Sequence, residues 1–285
     1  MNILYYAVHE NNAGWGAESF IDDGFKKLGH TTYCIDYRKH RDEIHTKHKE
    51  AMSSMDFDLF FLQRGDGFPL DIIKSMKCKK VFFASELVSR NRDQDRLLES
   101  GLFDYIFFHS SECMKLANAD YDKSSVLLNG FSTNIYKPIP GCEKSIDILF
   151  SGVMTPRRHA ILKNISKYFK VSVSTKFGKD LNEEFNKSKI ILNIHAEDYL
   201  DMETRVYEVL GSKSFLLSER LNMNNPFKDV YHFASYDVDE ELIWRLNYYL
   251  NNEKRRYVIA DNGYKEAVLN HRYEIRAKEI IERIY

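Results

Sequence analysis

The sequence predicts an α/β chain made of two successive parallel-sheet halves and a long closing helix at its end. Three observations carry that prediction. Short apolar runs alternate with stretches of helical period from the first residues onward. Two of the five prolines fall in Pro138-Ile139-Pro140-Gly141, the stiffest tetrapeptide of the chain, near its midpoint. The alternation then starts again. The predicted division is an N-terminal half at 1–140, a second half at 141–264 and a closing helix at 265–285 that returns to the first half.

Ile3 to Val8 reads as a strand buried on both faces. A polar loop, His9 to Gly16, leads into a helix whose apolar residues Ala17, Phe20, Ile21, Phe25 and Leu28 recur at helical spacing until Gly29. Thr31 to Tyr37 is the second strand, and buried-strand runs follow at Leu59 to Leu62, Val81 to Ala84, Tyr105 to Phe108 and Val126 to Leu128. In the second half, Asp147 to Ser151, Val171 to Ser174, Ile190 to Ile194 and Phe215 to Ser218 read as strands, with helices at Ala160 to Tyr168 and Glu203 to Leu210. After an Asn262-Gly263 break, Leu269, Tyr273, Ala277, Ile280 and Ile284 share one face of the closing helix.

Composition narrows the function. With 41 basic against 42 acidic residues and no polybasic arm, nucleic acid is not the expected partner. No apolar run approaches the ~18 residues of a membrane span. Met1 to Val8 lacks a basic n-region and cleavage site, which gives a cytoplasmic expectation. Cys34, Cys78, Cys113 and Cys142 lie far apart, as expected of reduced thiols.

In open parallel sheets, ligands sit at the carboxyl ends of the strands, so the loops there are the ones to read for chemistry. His9-Glu10-Asn11-Asn12-Ala13-Gly14-Trp15-Gly16 opens directly into a helix N-terminus; it reads either as a site that suits an anion, with His9 or Glu10 as a base, or as a plain flexible βα loop. Gly14-x-Gly16-x-x-Ser19 with Asp36 imitates a dinucleotide fingerprint, but six residues separate Val8 from Gly14 and Ser19 replaces the third glycine. Asp201, Arg205 and Glu208 fall on one helical face, so Glu208 is either a carboxylate for a ribose diol or half of a surface ion pair with Arg205. Asp-x-Asp at Asp56/Asp58, Asp93/Asp95 and Asp237/Asp239 is a pattern that chance supplies in an acidic-rich chain. His40, His45 and His48 read as a solvated helix face. His109, His195 and Glu86 stand after apparent strands, where ligand contacts and satisfied structural roles are both open.

Taken in order, Gly14-Trp15-Gly16 with Gly29-His30, Phe103-Asp104-Tyr105-Ile106-Phe107, Leu128-Asn129-Gly130 through Tyr136-Lys137-Pro138, Ile148-Leu149-Phe150-Ser151-Gly152, and Arg205-Val206-Tyr207-Glu208 with Gly211 resemble the GT-B glycosyltransferases. The likeness is to their CgeB-type spore-maturation branch and covers nearly the full chain. It implies two Rossmann-like domains facing a cleft and a sugar moved, without metal or other cofactor, from a nucleotide-sugar to an unknown glycan, protein or small-molecule acceptor. Uridine is the base that family habit suggests. The second half would hold the donor, through Gly152, Arg157, Arg158, His195, Arg205 and Glu208, with Gly14, Trp15, Gly16 and His109 facing it from the first. Glu208 matches the family's ribose glutamate, and Arg158 the second member of its phosphate pair. Val153 stands where relatives carry the first arginine, and Leu200 where they carry a second glutamate; Asp198 and Asp201 are substitutes for the latter. Those departures leave inversion and retention open. They also keep a rival alive, a non-catalytic spore-coat or surface-assembly protein; a nicotinamide-dependent oxidoreductase rests only on Gly14, Gly16 and Asp36.

Overall fold

In the computed structural model the described residues are 1–9, 16–85, 93–197, 199–200 and 202–285, without the side chain of residue 93. Cα packing divides the chain into two compact units, Met1–Leu128 with Tyr273–Tyr285, and Asn129–Arg272.

The first unit contains β1 (Asn2–Ala7), α1 (Ala17–Lys27), β2 (Thr31–Asp36), α2 (Ile44–Ser54), β3 (Leu59–Gln63), α3 (Leu70–Ser75), β4 (Lys79–Ala84), α4 (Asp93–Leu98), β5 (Tyr105–Phe108), α5 (Ser111–Leu116) and β6 (Ser124–Val126). Its strands form one parallel sheet in the order β2-β1-β3-β4-β5-β6. Every residue from Ile3 to Ala7 is inaccessible to solvent, which is why β1 lacks polar alternation. On one face Tyr5 packs against Phe25 and Phe61; on the other Tyr6 meets Phe60 and Phe68. Each such fully buried ring contributes about 1.5–3 kcal/mol of apolar transfer.

The second unit contains β7 (Ile146–Ser151), α6 (Pro156–Ile165), β8 (Val171–Ser174), α7 (Gly178–Lys187), β9 (Ser188–Asn193), α8 (Thr204–Gly211), β10 (Leu216–Glu219), β11 (Ala234–Tyr236), α9 (Asp239–Asn251) and α10 (Glu253–Asn270). Its parallel sheet runs β11-β10-β9-β7-β8. Ile148, Phe150, Leu192, Leu217, Leu242 and Leu246 belong to its core.

The unit boundary at Leu128/Asn129 lies ahead of the proline pair. Asn182 and Asn186 of α7 explain the difference: their side-chain oxygens accept from Lys137 N at 3.1 Å and Ile139 N at 2.8 Å, and Asn186 donates to Lys137 O. Residues 137–139 are thereby laid on the second unit instead of swinging free. The Asn262-Gly263 break is also corrected. α10 runs straight through it, and a Cβ at Gly263 would come within 2.3 Å of His232 O and 2.8 Å of Leu210. That glycine permits a close approach and does not end a helix. The interruption falls at 271–272, where Phe131 N donates to His271 O and Phe131 bridges Arg272. Leu269 is therefore an exposed residue of α10. Tyr273, Ala277, Ile280 and Ile284 are the buried face of α11 (Tyr273–Ile284), which packs on α1 across Gly24. The predicted solvated face at 40–48 holds for His45 but not His48, whose ring reaches Tyr6 Oη at 2.9 Å and Ser75 Oγ at 3.1 Å.

All four cysteines are free thiols. Among the described residues no helix is long and apolar enough to cross a membrane.

Candidate functional site

In the second sheet, β7 leads outward to β8 on one side, while β9, β10 and β11 lie on the other. The crevice between the carboxyl ends of β7 and β9 is a topological switch point, the place where open sheets take ligands. Ser151 and Gly152 leave β7 here, and α6 begins with Pro156 at its first turn and Thr155 as its cap, Oγ1 accepting from Arg158 N.

Arg157 and Arg158, adjacent at the start of α6, take different partners. Arg157 reaches across β9 to Glu219 at the end of β10, with Nη1 and Nη2 on the two carboxylate oxygens at 3.0 and 2.5 Å, and Nη1 also donates to His195 O. Its side chain remains 30% exposed. Arg158 is buried. Its Nε donates to Ile194 O, Nη1 to Val153 O, both at 2.9 Å, and Nη2 to Glu203, while the guanidinium lies 5.4 Å from the Phe150 ring centre. A Cβ at Gly152 would meet Nη1 of Arg158 at 3.2 Å, so a small residue there gives the guanidinium its path. Arg158 thus turns its donors to protein acceptors, and Arg157, itself paired with Glu219, is the more exposed of the two.

His195 is buried beyond the end of β9. Its backbone N–H donates to Glu219, and Nε2 lies 2.8 Å from Arg220 O. Since a carbonyl can only accept, Nε2 carries the proton, and a neutral ring then presents Nδ1 as an acceptor. Nδ1 is buried and has no hydrogen-bond partner.

Glu208 lies on α8, one turn inside its start, and is 7% exposed. Arg205 Nη1 donates to Oε2 at 2.6 Å and stacks 5.5 Å from the Phe185 ring centre; Phe185 in turn stacks on Tyr136. Burial, and then the Glu208 carboxylate beside it, hold the Tyr136 phenol above its ordinary value. The Arg205–Glu208 pair expected at i, i+3 is present, but it is buried, not a solvated surface pair. Tyr136, which the sequence offered only as part of the family resemblance, is a further partner here. Leu200 and Val153, the departures from the family pattern, are both exposed.

The first unit carries the remaining expected residues. His9 lies just past β1, half-buried and edge-on to Tyr5 at 4.8 Å, so its ring folds back over the strand. Burial lowers its pKa, against the opposing pull of Asp22, Glu18 and Asp36, so it is neutral near pH 7. Gly16 caps α1, where Phe20 N donates to its carbonyl. His109, at the end of β5, is buried with Nε2 3.8 Å from Cys113 Sγ. Glu10, Gly14, Trp15, Glu86, Asp198 and Asp201 lie outside the described residues, as does the side chain of Asp93. A cavity of about 200 Å³ also opens at the carboxyl ends of β2 and β3, against Tyr37, Arg38, Arg41, Asp66 and Phe68. There Arg38 forks onto Asp66 and the Tyr37 hydroxyl donates to it at 2.7 Å. These bonds outweigh burial and hold the Asp66 carboxyl below its usual value.

The segment beginning at Arg158 and including α8 and most of α11 has known relatives. Residues 158–282 match the glycosyl transferase-like family. Over the whole chain, two parallel-sheet units with this helical ending are the fold of the GT-B glycosyltransferases. Sucrose-phosphate synthase from Thermosynechococcus elongatus superposes with a TM-score of 0.75 at 8% identity, covering 99% of this chain and 98% of its own. Anabaena HepE, solved with UDP-glucose, superposes at 0.72 with 12% identity, covering 100% and 99%. An uncharacterised protein of Acanthamoeba polyphaga mimivirus is 25% identical over 185 residues, 60% of this chain and 66% of that protein. The glycosyl transferase-like segment contains Arg158, His195, Arg205 and Glu208; Gly152 and Arg157 lie just ahead of it.

Proposed function

We propose that the protein transfers a sugar from a uridine diphosphate sugar to an acceptor, the donor being held by the second unit at the carboxyl ends of β7, β9 and β10 and the acceptor by the first. One observation carries the donor side: an arginine with exposed surface, Arg157, and a buried unpartnered imidazole nitrogen, Nδ1 of His195, stand together at the switch point of a glycosyltransferase-like sheet. A guanidinium there binds the leaving diphosphate and offsets the charge that grows on it. The lone pair on His195 Nδ1 accepts from a sugar hydroxyl. HepE, which shares the fold, was solved with UDP-glucose, in keeping with this donor class.

Glu208 is proposed to receive the ribose. A carboxylate has about four lone-pair sites, and Arg205 and the Tyr136 phenol face only part of them. Arg158 becomes a positioning residue that fixes the start of α6, which carries Arg157. On the acceptor side, His9 is a neutral base for an inverting reaction, and the cavity beside Arg41 and Asp66 is open to the acceptor. The CgeB-type likeness and metal independence belong to this same reading.

Calorimetry with UDP, GDP and NAD, followed by turnover of UDP-glucose with and without EDTA, tests it. UDP should bind most tightly, Arg157→Ala should weaken UDP far more than uridine, and EDTA should leave turnover intact. Preference for NAD would overturn the reading. Tight UDP binding with no transfer to any acceptor would favour the fold-retaining assembly protein.

A further inference from the structure

The second unit has a cavity of about 190 Å³ at the other end of its strands. Lys144 just precedes β7 and Lys189 is the second residue of β9, so this cavity opens at the amino ends of the strands. That is about 17 Å, one strand length, from the crevice proposed for the donor. Four cations from separate elements line it: Lys144, Lys189, Lys213 and Arg256. Two are neutralised locally, Lys189 by Asp147 at 2.6 Å and Lys213 by Asp261 at 2.7 Å. The other two are not. Arg256 is 7% exposed and spends Nη1 on the carbonyls of Tyr249 and Leu250; among the described residues neither it nor the exposed Lys144 is held in a salt bridge, though Glu253 and Asp147 lie near enough to favour the charge of Arg256. Glu253 is the single acidic side chain among the lining residues. Desolvation lowers the proton affinity of both cations, and Arg256 lowers that of Lys144 further by repulsion, the condition an anion between them would relieve. Tyr257, Ile139 and Phe215 supply an apolar wall.

We infer that this cavity binds a small phosphomonoester through Lys144 and Arg256, at a site separate from the proposed donor crevice. Lys144 and Arg256, neither held in a salt bridge, together offer two positive charges and several N–H donors to the three oxygens and ~−1.5 to −2 charge of a phosphate ester at neutral pH, and the apolar wall receives its organic part. A monocarboxylate supplies half that charge.

The test is calorimetric titration of the intact protein with phenyl phosphate, with benzoate as the carboxylate of similar shape. Phenyl phosphate should bind at least tenfold more tightly than benzoate. Lys144→Glu, a change at the cavity rim, should weaken it at least tenfold while UDP affinity stays unchanged; Arg157→Ala should do the reverse. Arg256→Lys serves as a second variant that keeps the charge but loses the fork, and should weaken phenyl phosphate less than Lys144→Glu does. Equal affinity for benzoate, or wild-type phenyl phosphate binding by folded Lys144→Glu, would overturn the inference, whatever becomes of the glycosyltransferase reading.

Discussion

Arg158 and Glu203 form a two-bond ion pair, with Nη2 at 2.9 and 3.2 Å from the carboxylate oxygens, and through it the start of α6 is fastened to the residue that precedes α8. The same guanidinium holds carbonyls on both sides of the crevice, at Val153 after β7 and Ile194 after β9. Arg158 thus determines the spacing of the two strand ends between which the donor is proposed to lie.

Removing it should therefore cost stability first. Arg158→Ala is expected to lose about 2–3 kcal/mol, below the ~3–5 of a fully buried pair because Glu203 keeps access to water. Arg158→Lys should recover little, since an ammonium cannot serve three separate acceptors in one plane. Urea unfolding measures both. A wild-type midpoint for folded Arg158→Ala, together with lost UDP affinity, would return Arg158 to the direct phosphate role.

Glu208→Gln removes the charge that Arg205 and a bound ribose would share. Charge-assisted hydrogen bonds contribute ~1.5–3 kcal/mol, so nucleotide affinity should drop at least tenfold. Calorimetry on the folded variant decides: unchanged affinity would leave Arg205, Glu208 and Tyr136 as a buried structural group only.

Gly24 stands where α1 meets α11. A Cβ there would lie 2.8 Å from Ala277 Cβ and 3.0 Å from Tyr273 O. Gly24→Ala should destabilise by ~1–3 kcal/mol through overpacking, although alanine is the better helix former by about 1 kcal/mol. Adding Ala277→Gly should restore part of the loss. If Gly24→Ala alone raised the melting temperature, the helices would not be packed as described.

Acid should unfold the protein partly through its histidines. Burial lowers the pKa of His9 and of His48, so between that lowered value and the unfolded value of ~6.5 the unfolded chain binds more protons. Stability then increases with pH across this window, is complete above ~6.5 and is lost as pH falls below it. Melting temperatures from pH 7.5 to 5 should decline. His48→Gln should have a shallower decline, and an unchanged slope would remove His48 from the effect.

Much of the scaffold was legible because it depends on local pattern. β1 is readable since both its faces are buried, and α1 because its five apolar residues repeat at helical spacing. The Arg205–Glu208 contact is likewise visible at a separation of three. Arg157 with Glu219 and Arg158 with Glu203 are not, because their partners lie 62 and 45 positions away and arrive only through the β9 and β10 crossovers. β11 escaped since three residues, Ala234-Ser235-Tyr236, make too short a run to show a period. Gly263 misled because a glycine needed for close packing looks, in sequence, like one that ends a helix.

The placement of α11 beside α1 means that the first unit is written in two instalments, with residues 129–272 between them. The second unit is continuous and needs nothing from outside its own stretch of chain to complete its sheet. During synthesis the first sheet leaves the ribosome early but waits, with Phe20 lacking the cover of Tyr273 and Gly24 that of Ala277, until the whole second unit has followed and α11 arrives. The domain begun first is thus the one finished last, and the continuous second unit can complete its fold ahead of it.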